Sequence, residues 1–397
     1  MRIAIAANFD KKVAIDSRGG SEVFTYLQAN ELAKRSSVEK IIVFGVGANY
    51  FQSDKITFVS LLPEEMRVFA SKTPLLEGLI AKRPDTYSQI EGVMGTKLFS
   101  HIKKYLSEID IFQNNATSSV FNSLISLIDK PVVTTLHTNA DSPSMLVPYS
   151  LGSFDGSPHH YFVRIANHQD NFIKKNDIKL NVVKTIYNGI DTTRNAPLFT
   201  TSNAEGGLWI GRISEKHNKG IKEAMQSTHA SHKKLSCFVT IDDKEYYQKE
   251  VAPRCDGDIT VSDAVISFEE KIAEYQKAAY FLYPIMWEEP FGLVLTEAMA
   301  CGTPVIAFAK GAVPEIVRDG ETGFIVNSSD DDIRGDFLIK KTGKEGLSEA
   351  MERISALSPQ QYMTMRKNSR RLIEDNFTIE KMVDQYEALY QDILQKK

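Results

Sequence analysis

Short apolar runs alternate with stretches of helical period from one end of this chain to the other. That alternation restricts the fold more than any other feature. Arg2–Ala7, Lys40–Val46, Ile109–Gln113 and Val132–Leu136 are apolar on both alternating faces and read as buried strands. Glu22–Arg35 and Lys97–Ser107 carry a helical period between them. A second series follows at Leu208–Gly211, Leu235–Ile241, Tyr280–Pro284, Pro304–Phe308 and Gly323–Val326, with helical patterns at Glu269–Ala278 and Gly292–Ala300. Strand and helix in strict alternation predict parallel sheets covered on both faces. At 397 residues, and with roughly 150 residues per domain as a guide, the expected architecture is α/β with two doubly wound domains.

The polar, turn-rich segment Asn188–Gly207 marks the boundary. Residues 1–190 are therefore expected to form a first Rossmann-like domain and residues 205–378 a second. Near the C-terminus, Ile379, Met382, Val383, Tyr386, Leu389, Tyr390 and Ile393 recur at helical spacing. The helix over about 379–397 must bury that stripe on a neighbour.

Composition removes several classes of function. The 47 Lys and Arg against 51 Asp and Glu leave a net charge of −4, which argues against a chain devoted to nucleic acid. Cys237, Cys255 and Cys301 stand far apart, with neither zinc-ligand nor disulfide spacing. No apolar run is long enough to span a membrane. The N-terminus turns polar too soon for a signal peptide, so a cytoplasmic protein is expected.

The densest motif is WEEPFGLVLTEAMACGTPVIAFAKGAVPEIV, residues 287–317. A helix is expected to start near Gly292 and stop at Gly302, with Pro304 beyond it. Glu289 then lies in the loop ahead of the helix and Glu297 inside it. The amides of Phe291, Gly292 and Leu293 would point out of its N-terminus, a natural phosphate site. On spacing alone, a capped helix with two solvated glutamates is an equally good reading. Upstream, LWIGRISEKHNKGIKEA places Arg212 at a strand end with Lys216 and Lys219 soon after. Such a cluster is either a solvated turn or a cationic seat for a diphosphate. A third element, RGGSEVF, puts Gly19 and Gly20 at another helix start, where close backbone approach to an anion is possible. His137 ends the apolar run VVTTL. The pair His159–His160 has no evident third metal ligand and reads as loop. Gly45–Tyr50 is an incomplete dinucleotide fingerprint, which disfavours a Rossmann dehydrogenase.

Taken together, EPFGLVLTEAMACGTPVIAF resembles the donor-binding signature of the retaining GT-B glycosyltransferases, the large family 4 group, whose hallmark is the E-x7-E pair, here Glu289 and Glu297. The resemblance is strong over Leu208–Asn327 and thinner over Met1–Ile190, where IYNGID around Asn188 is the other recognisable element. It implies a GT-B fold: two facing Rossmann-like domains with an interdomain cleft, the C-terminal helix returning to the first. Glu289 would contact the transferred sugar and Glu297 the ribose, with the amides after Phe291 on the sugar or diphosphate. Arg212 and Lys219 would bind the diphosphate, in a loop two residues longer than the family's G-R-x-x-x-x-K-G. Lys216 is the rival lysine. Gly19 and Gly20 would face the diphosphate, the segment before them, Asp10–Arg18, would be a mobile loop, and His137 would touch the donor sugar.

Three departures are visible. Lys310–Gly311 replaces a common glycine pair, the diphosphate loop is longer, and CFVTIDDKEYY lacks the usual glycine-bearing strand end. The activity implied is transfer of a hexose-type sugar from a nucleotide diphosphate sugar, UDP first among them, to an acceptor hydroxyl, with retention and without metal or other cofactor. The acceptor could be a sugar, a glycan, a lipid-linked or a small molecule, bound by loops within Leu61–Met94 and Thr138–His160, with peripheral membrane contact compatible. The competing readings are a non-catalytic sugar-nucleotide-binding partner of another transferase and a GT-B epimerase.

Overall fold

The computed structural model describes residues 1–9, 11–17, 19–61, 85–139, 142–150, 152, 159–199, 206–215, 218–263 and 267–396. Lys216, most of Leu61–Met94 and part of Thr138–His160 (residues 140–141, 151 and 153–158) lie outside the described residues, as do the ends of Asp10–Arg18. The described middle of Thr138–His160 holds a short helix, Pro143–Ser150, where a loop was expected. The chain divides into two units: Met1–Gly189 with Ile379–Lys397, and Ile190–Thr378.

Unit 1 is built on seven strands: β1 Arg2–Ala6, β2 Lys40–Gly45, β3 Ile56–Ser60, β4 Ile111–Asn114, β5 Val132–Leu136, β6 His160–Arg164 and β7 Val182–Thr185. They lie in the order β3-β2-β1-β4-β5-β6-β7, every pair parallel. Its helices include α1 Gly20–Ala33 and α2 Asp85–Tyr105. The helical stretch read at Lys97–Ser107 is thus the last part of a longer helix, followed by a short 3-10 turn at Leu106–Glu108. Unit 2 carries β8 Gly207–Ile213, β9 Leu235–Ile241, β10 Ile259–Ser262, β11 Tyr280–Tyr283, β12 Val305–Phe308 and β13 Gly323–Val326. Their order is β10-β9-β8-β11-β12-β13, again all parallel. Helices α3 Ile221–Ala230, α4 Phe268–Lys277 and α5 Leu293–Ala300 serve the site below.

Four strands lack the uninterrupted apolar runs of the others: β3, β6, β7 and β10. Three of these are edge strands, and most of their residues are partly or fully exposed. Half-covered strands need no continuous apolar run. His160 corrects the loop reading given to it: it sits in β6, buried, with its Nε2 2.7 Å from Thr134 Oγ1. Gly47 has φ +93°, and no helix opens between it and β3, so no dinucleotide fingerprint forms there. Within the loop before α1, Val13 and Ala14 are buried and Lys12 bridges Val46. These contacts tie down residues expected to be mobile.

The C-terminal helix α6, Ile379–Gln395, buries all seven residues of its apolar stripe, and they join the α1 face of the unit 1 core. A fully buried polar network keys it in place. Tyr390 OH donates to Gln113 Oε1 at 2.7 Å, and Gln113 Nε2 donates to Asn115 Oδ1 and to Thr135 Oγ1 at 2.7 and 2.8 Å. Tyr386 OH meets the same Thr135 hydroxyl at 2.8 Å, and Asn115 Nδ2 donates to Gln28 of α1 at 2.9 Å. Buried polar groups left unpaired are costly, so a network this well satisfied fixes one seating of the helix.

Strand order reverses between β1 and β4 in unit 1 and between β8 and β11 in unit 2. In open α/β sheets, ligands bind outside the carboxyl ends of the strands at such switch points.

Candidate active site

The unit 2 switch point carries four of the residues singled out by the sequence: Arg212, Lys219, Glu289 and Glu297. Arg212 lies near the end of β8 and Lys219 in the loop before α3. That loop has little freedom. Asn218 accepts from the Gly220 amide at 2.9 Å through its side chain and from the Met286 amide at 3.1 Å through its carbonyl. Gly220 is left-handed, with φ +75°, and a Cβ there would fall 1.7 Å from the Pro284 carbonyl oxygen. Only glycine lets the loop press against the chain leaving β11. The buried Trp209 indole donates to the Lys219 carbonyl at 3.3 Å, completing the clasp.

Each glutamate of the pair is held by one tyrosine and one lysine. Glu289 lies in the loop ahead of α5, where the buried Tyr283 hydroxyl of β11 donates to its Oε2 at 2.7 Å and Lys219 Nζ stands 3.9 Å away. Glu297, inside α5, accepts from Lys271 Nζ at 2.8 Å and Tyr275 OH at 3.3 Å. Lys271 and Tyr275 are one turn apart on α4, so a single helix face presents both. The helix itself starts with a reciprocal capping box between Ser267 and Glu270. Burial, then the neighbouring carboxylate, pushes both tyrosines well above their ordinary pKa. They remain protonated donors. Phe281 stacks on Tyr283 at 5.7 Å and meets Tyr275 edge-on at 5.5 Å, forming one aromatic floor under both acids.

Gly292, at φ +97°, caps α5, which runs from Leu293 to Ala300. Among the described residues the amides of Gly292 and Leu293 have no partner, as expected for the orphan donors of a helix start. Phe291 is buried against Phe377 at 5.9 Å, so only its backbone is placed to serve a ligand. Lys310, where a glycine was expected, pairs with Asp332 at 2.5 Å. Asp332 also receives Arg334 and Ser328, and its carboxyl is held far below the usual range. Arg334 in turn forks onto Glu288, the neighbour of Glu289.

Arg212 is engaged differently from the other cations. Its Nη1 donates to Asp242 Oδ2 at 2.8 Å, a partner the sequence reading did not single out. In unit 1, Gly19 precedes α1 without a side-chain cap, and Gly20 is the first helical residue. Phe24, on the next turn, meets the His137 ring edge-on at 4.7 Å. His137 Nε2 is buried without a hydrogen-bond partner among the described residues. Burial pushes its pKa down to about 3, so at neutral pH the ring is an uncharged donor or acceptor. Among the described residues no cluster of three metal-ligating side chains occurs.

Two parallel doubly wound units, on sheets of seven and six strands, together with the solved structures they match, make this a GT-B fold. The whole chain superposes on solved structures of that fold. Sucrose-phosphate synthase from Thermosynechococcus elongatus matches with TM-score 0.74 and 19% identity, covering 100% of both chains. Anabaena HepE in complex with UDP and glucose matches with TM-score 0.66 and 16% identity, covering 99% of this chain and 100% of the other. Residues 205–336, which hold the whole Arg212-to-Arg334 constellation, match the family described as "Glycosyl transferases group 1". Within unit 2, that stretch is therefore similar to the group 1 glycosyltransferase family. Among characterised relatives, N-acetyl-alpha-D-glucosaminyl L-malate synthase from Bacillus anthracis is 31% identical over 126 residues, 32% of this chain and 29% of that protein. The similarity thus spans under a third of that relative's length.

Proposed function

We propose that the chain is a retaining, family 4-type glycosyltransferase that moves a hexose from a nucleoside diphosphate sugar to an acceptor hydroxyl. The observation that carries this reading is the paired seating of Glu289 and Glu297 around the start of α5 at the unit 2 switch point. In this reading Glu289 binds sugar hydroxyls and Glu297 the ribose, while Arg212, Lys219 and the Gly292 and Leu293 amides take the diphosphate. Gly19, Gly20 and His137 keep the roles that the resemblance implies. As the bond from the sugar to the diphosphate breaks, negative charge grows on the leaving phosphate. Preorganised cations and amides lower the barrier at that point. The acceptor oxygen bonds to the same face of the sugar carbon, and its proton passes to the leaving phosphate. Metal independence is proposed because, in this reading, Arg212 and Lys219 supply the positive charge that the leaving diphosphate needs. UDP is the first nucleotide to test, being the one bound in the HepE complex.

The test is a thermal-shift panel with UDP, GDP, ADP and dTDP, first without metal and then with magnesium. At about 100 times its Kd, a ligand adds roughly 2.7 kcal/mol of stability. In a unit of this size that raises the melting temperature by roughly 5–10 °C. One nucleotide should shift it without metal. A shift only with magnesium would overturn metal independence, and no shift with any of the four would overturn the donor reading.

The two acids should then separate. Glu297→Ala should weaken nucleotide binding. Glu289→Ala should spare nucleotide binding but impair transfer, as read by calorimetry and initial rates. The opposite pattern would exchange their roles.

A further inference from the structure

We propose that Asp242 is a resident anion that occupies the diphosphate-binding guanidinium of Arg212 until the donor displaces it, and so sets a low nucleotide affinity and a rapid release of the nucleotide product. The inference rests on the donor reading above.

Asp242 directly follows β9, which pairs with β8 in register, Arg212 opposite Thr240 and Ile213 opposite Ile241. The amides of Asp242 and Asp243 both converge on the Ile213 carbonyl, each at 3.1 Å, so the end of β9 is folded over the end of β8. Asp243 then turns its side chain to cap the next helical turn, accepting from the Tyr246 amide at 3.0 Å. Asp242 alone is left to reach Arg212. Its carboxylate contacts a guanidinium nitrogen at 2.8 Å, the kind of contact a phosphate oxygen would make.

The contact is built to be broken. The two side chains are 43% and 37% exposed, and one guanidinium nitrogen is used rather than the bidentate fork. An exposed ion pair of this kind biases an equilibrium by at most a factor of about five. A diphosphate brings more charge and several acceptor oxygens, so it wins the guanidinium while it is present. When the product leaves, Asp242 closes the vacancy, and an arginine that would otherwise hold the nucleotide is neutralised. Glu289 and Glu297 differ from it here, because each is fixed by a buried tyrosine and exchanges nothing.

The experiment measures Kd for UDP, GDP, ADP and dTDP by calorimetry on the whole chain, for wild type, Asp242→Asn and Asp243→Asn. Asn keeps shape and hydrogen bonding at both sites, and it caps helices as well as Asp does. Asp243→Asn therefore removes the same charge next door without touching Arg212. Asp242→Asn should bind the cognate nucleotide about two- to fivefold tighter, with a matching fall in its off-rate, while Asp243→Asn stays near wild type. Equal or weaker binding by Asp242→Asn would overturn the inference and make Asp242 a support for Arg212. Equal tightening in both variants would overturn it in favour of a general charge effect. Failure of wild type to bind any of the four nucleotides would instead overturn the donor reading, and this inference with it.

Discussion

Arg212→Ala should slow sugar transfer about 10²–10³-fold, the usual cost of removing one preorganised donor from developing charge. The fold should barely notice, because the side chain is 43% exposed and its ion pair is of the weak surface kind. The loss should appear in kcat at saturating donor, since the guanidinium matters most where the leaving diphosphate gains charge. Arg212→Lys should recover only part of it, because an ammonium cannot reproduce the planar fork. Steady-state rates alongside a melting curve check both statements. Turnover within a few-fold of wild type would remove Arg212 from the reaction.

Gly220→Ala should be the most damaging small substitution in unit 2. The left-handed backbone alone costs an alanine roughly 1–2 kcal/mol. The Cβ must also displace the Pro284 carbonyl, which it would approach to 1.7 Å. A total of about 3 kcal/mol or more follows, lowering the melting temperature of unit 2 by roughly 6–12 °C. Gly257→Ala is the control, since a Cβ there meets nothing within 4 Å. If the two variants melted together, the clasp between the Lys219 loop and β11 would contribute nothing. Nucleotide affinity should fall with stability in Gly220→Ala, because Lys219 is positioned by the same loop.

The alternation of buried runs was enough to read two parallel α/β sheets because the central strands are covered on both faces, as in β1, β4, β5, β11 and β12. Edge strands such as ITFVS and ITVS escaped because only one residue in each is fully buried. His159–His160 misled for a related reason: a polar residue beside a turn looks like loop, and the Thr134 hydroxyl that meets the buried His160 imidazole lies on a neighbouring strand. Glu289 and Glu297 stood out through the resemblance of the segment around them rather than through spacing alone, and the groups that hold them were not legible. Tyr283 reads as one more apolar strand residue in YFLY, and Lys271 and Tyr275 as parts of an ordinary amphipathic helix. Their roles depend on which hydroxyl ends up beneath which carboxylate, and that is decided by packing between elements. Asp242 was hidden in the same way, thirty residues from the arginine it meets.

The return of α6 to unit 1 also sets the order in which this protein can become folded as it is made. Unit 2 is one uninterrupted stretch, whereas unit 1 lacks part of its core until residues beyond 378 have emerged. At about 5–20 residues per second, the 208 residues after Gly189 take roughly 10–40 s to synthesise. Throughout that interval Gln113, Thr135 and the α1 face stand uncovered, waiting for Tyr386 and Tyr390. The seven stripe residues would bury apolar surface worth roughly 10–20 kcal/mol, as much as the whole stability of an ordinary domain. A nascent chain halted after Thr378 should therefore yield a protease-resistant unit 2 beside a readily cleaved unit 1, and equal resistance of both would show that unit 1 closes without its last helix. The first half of the message is the last half of the protein to mature.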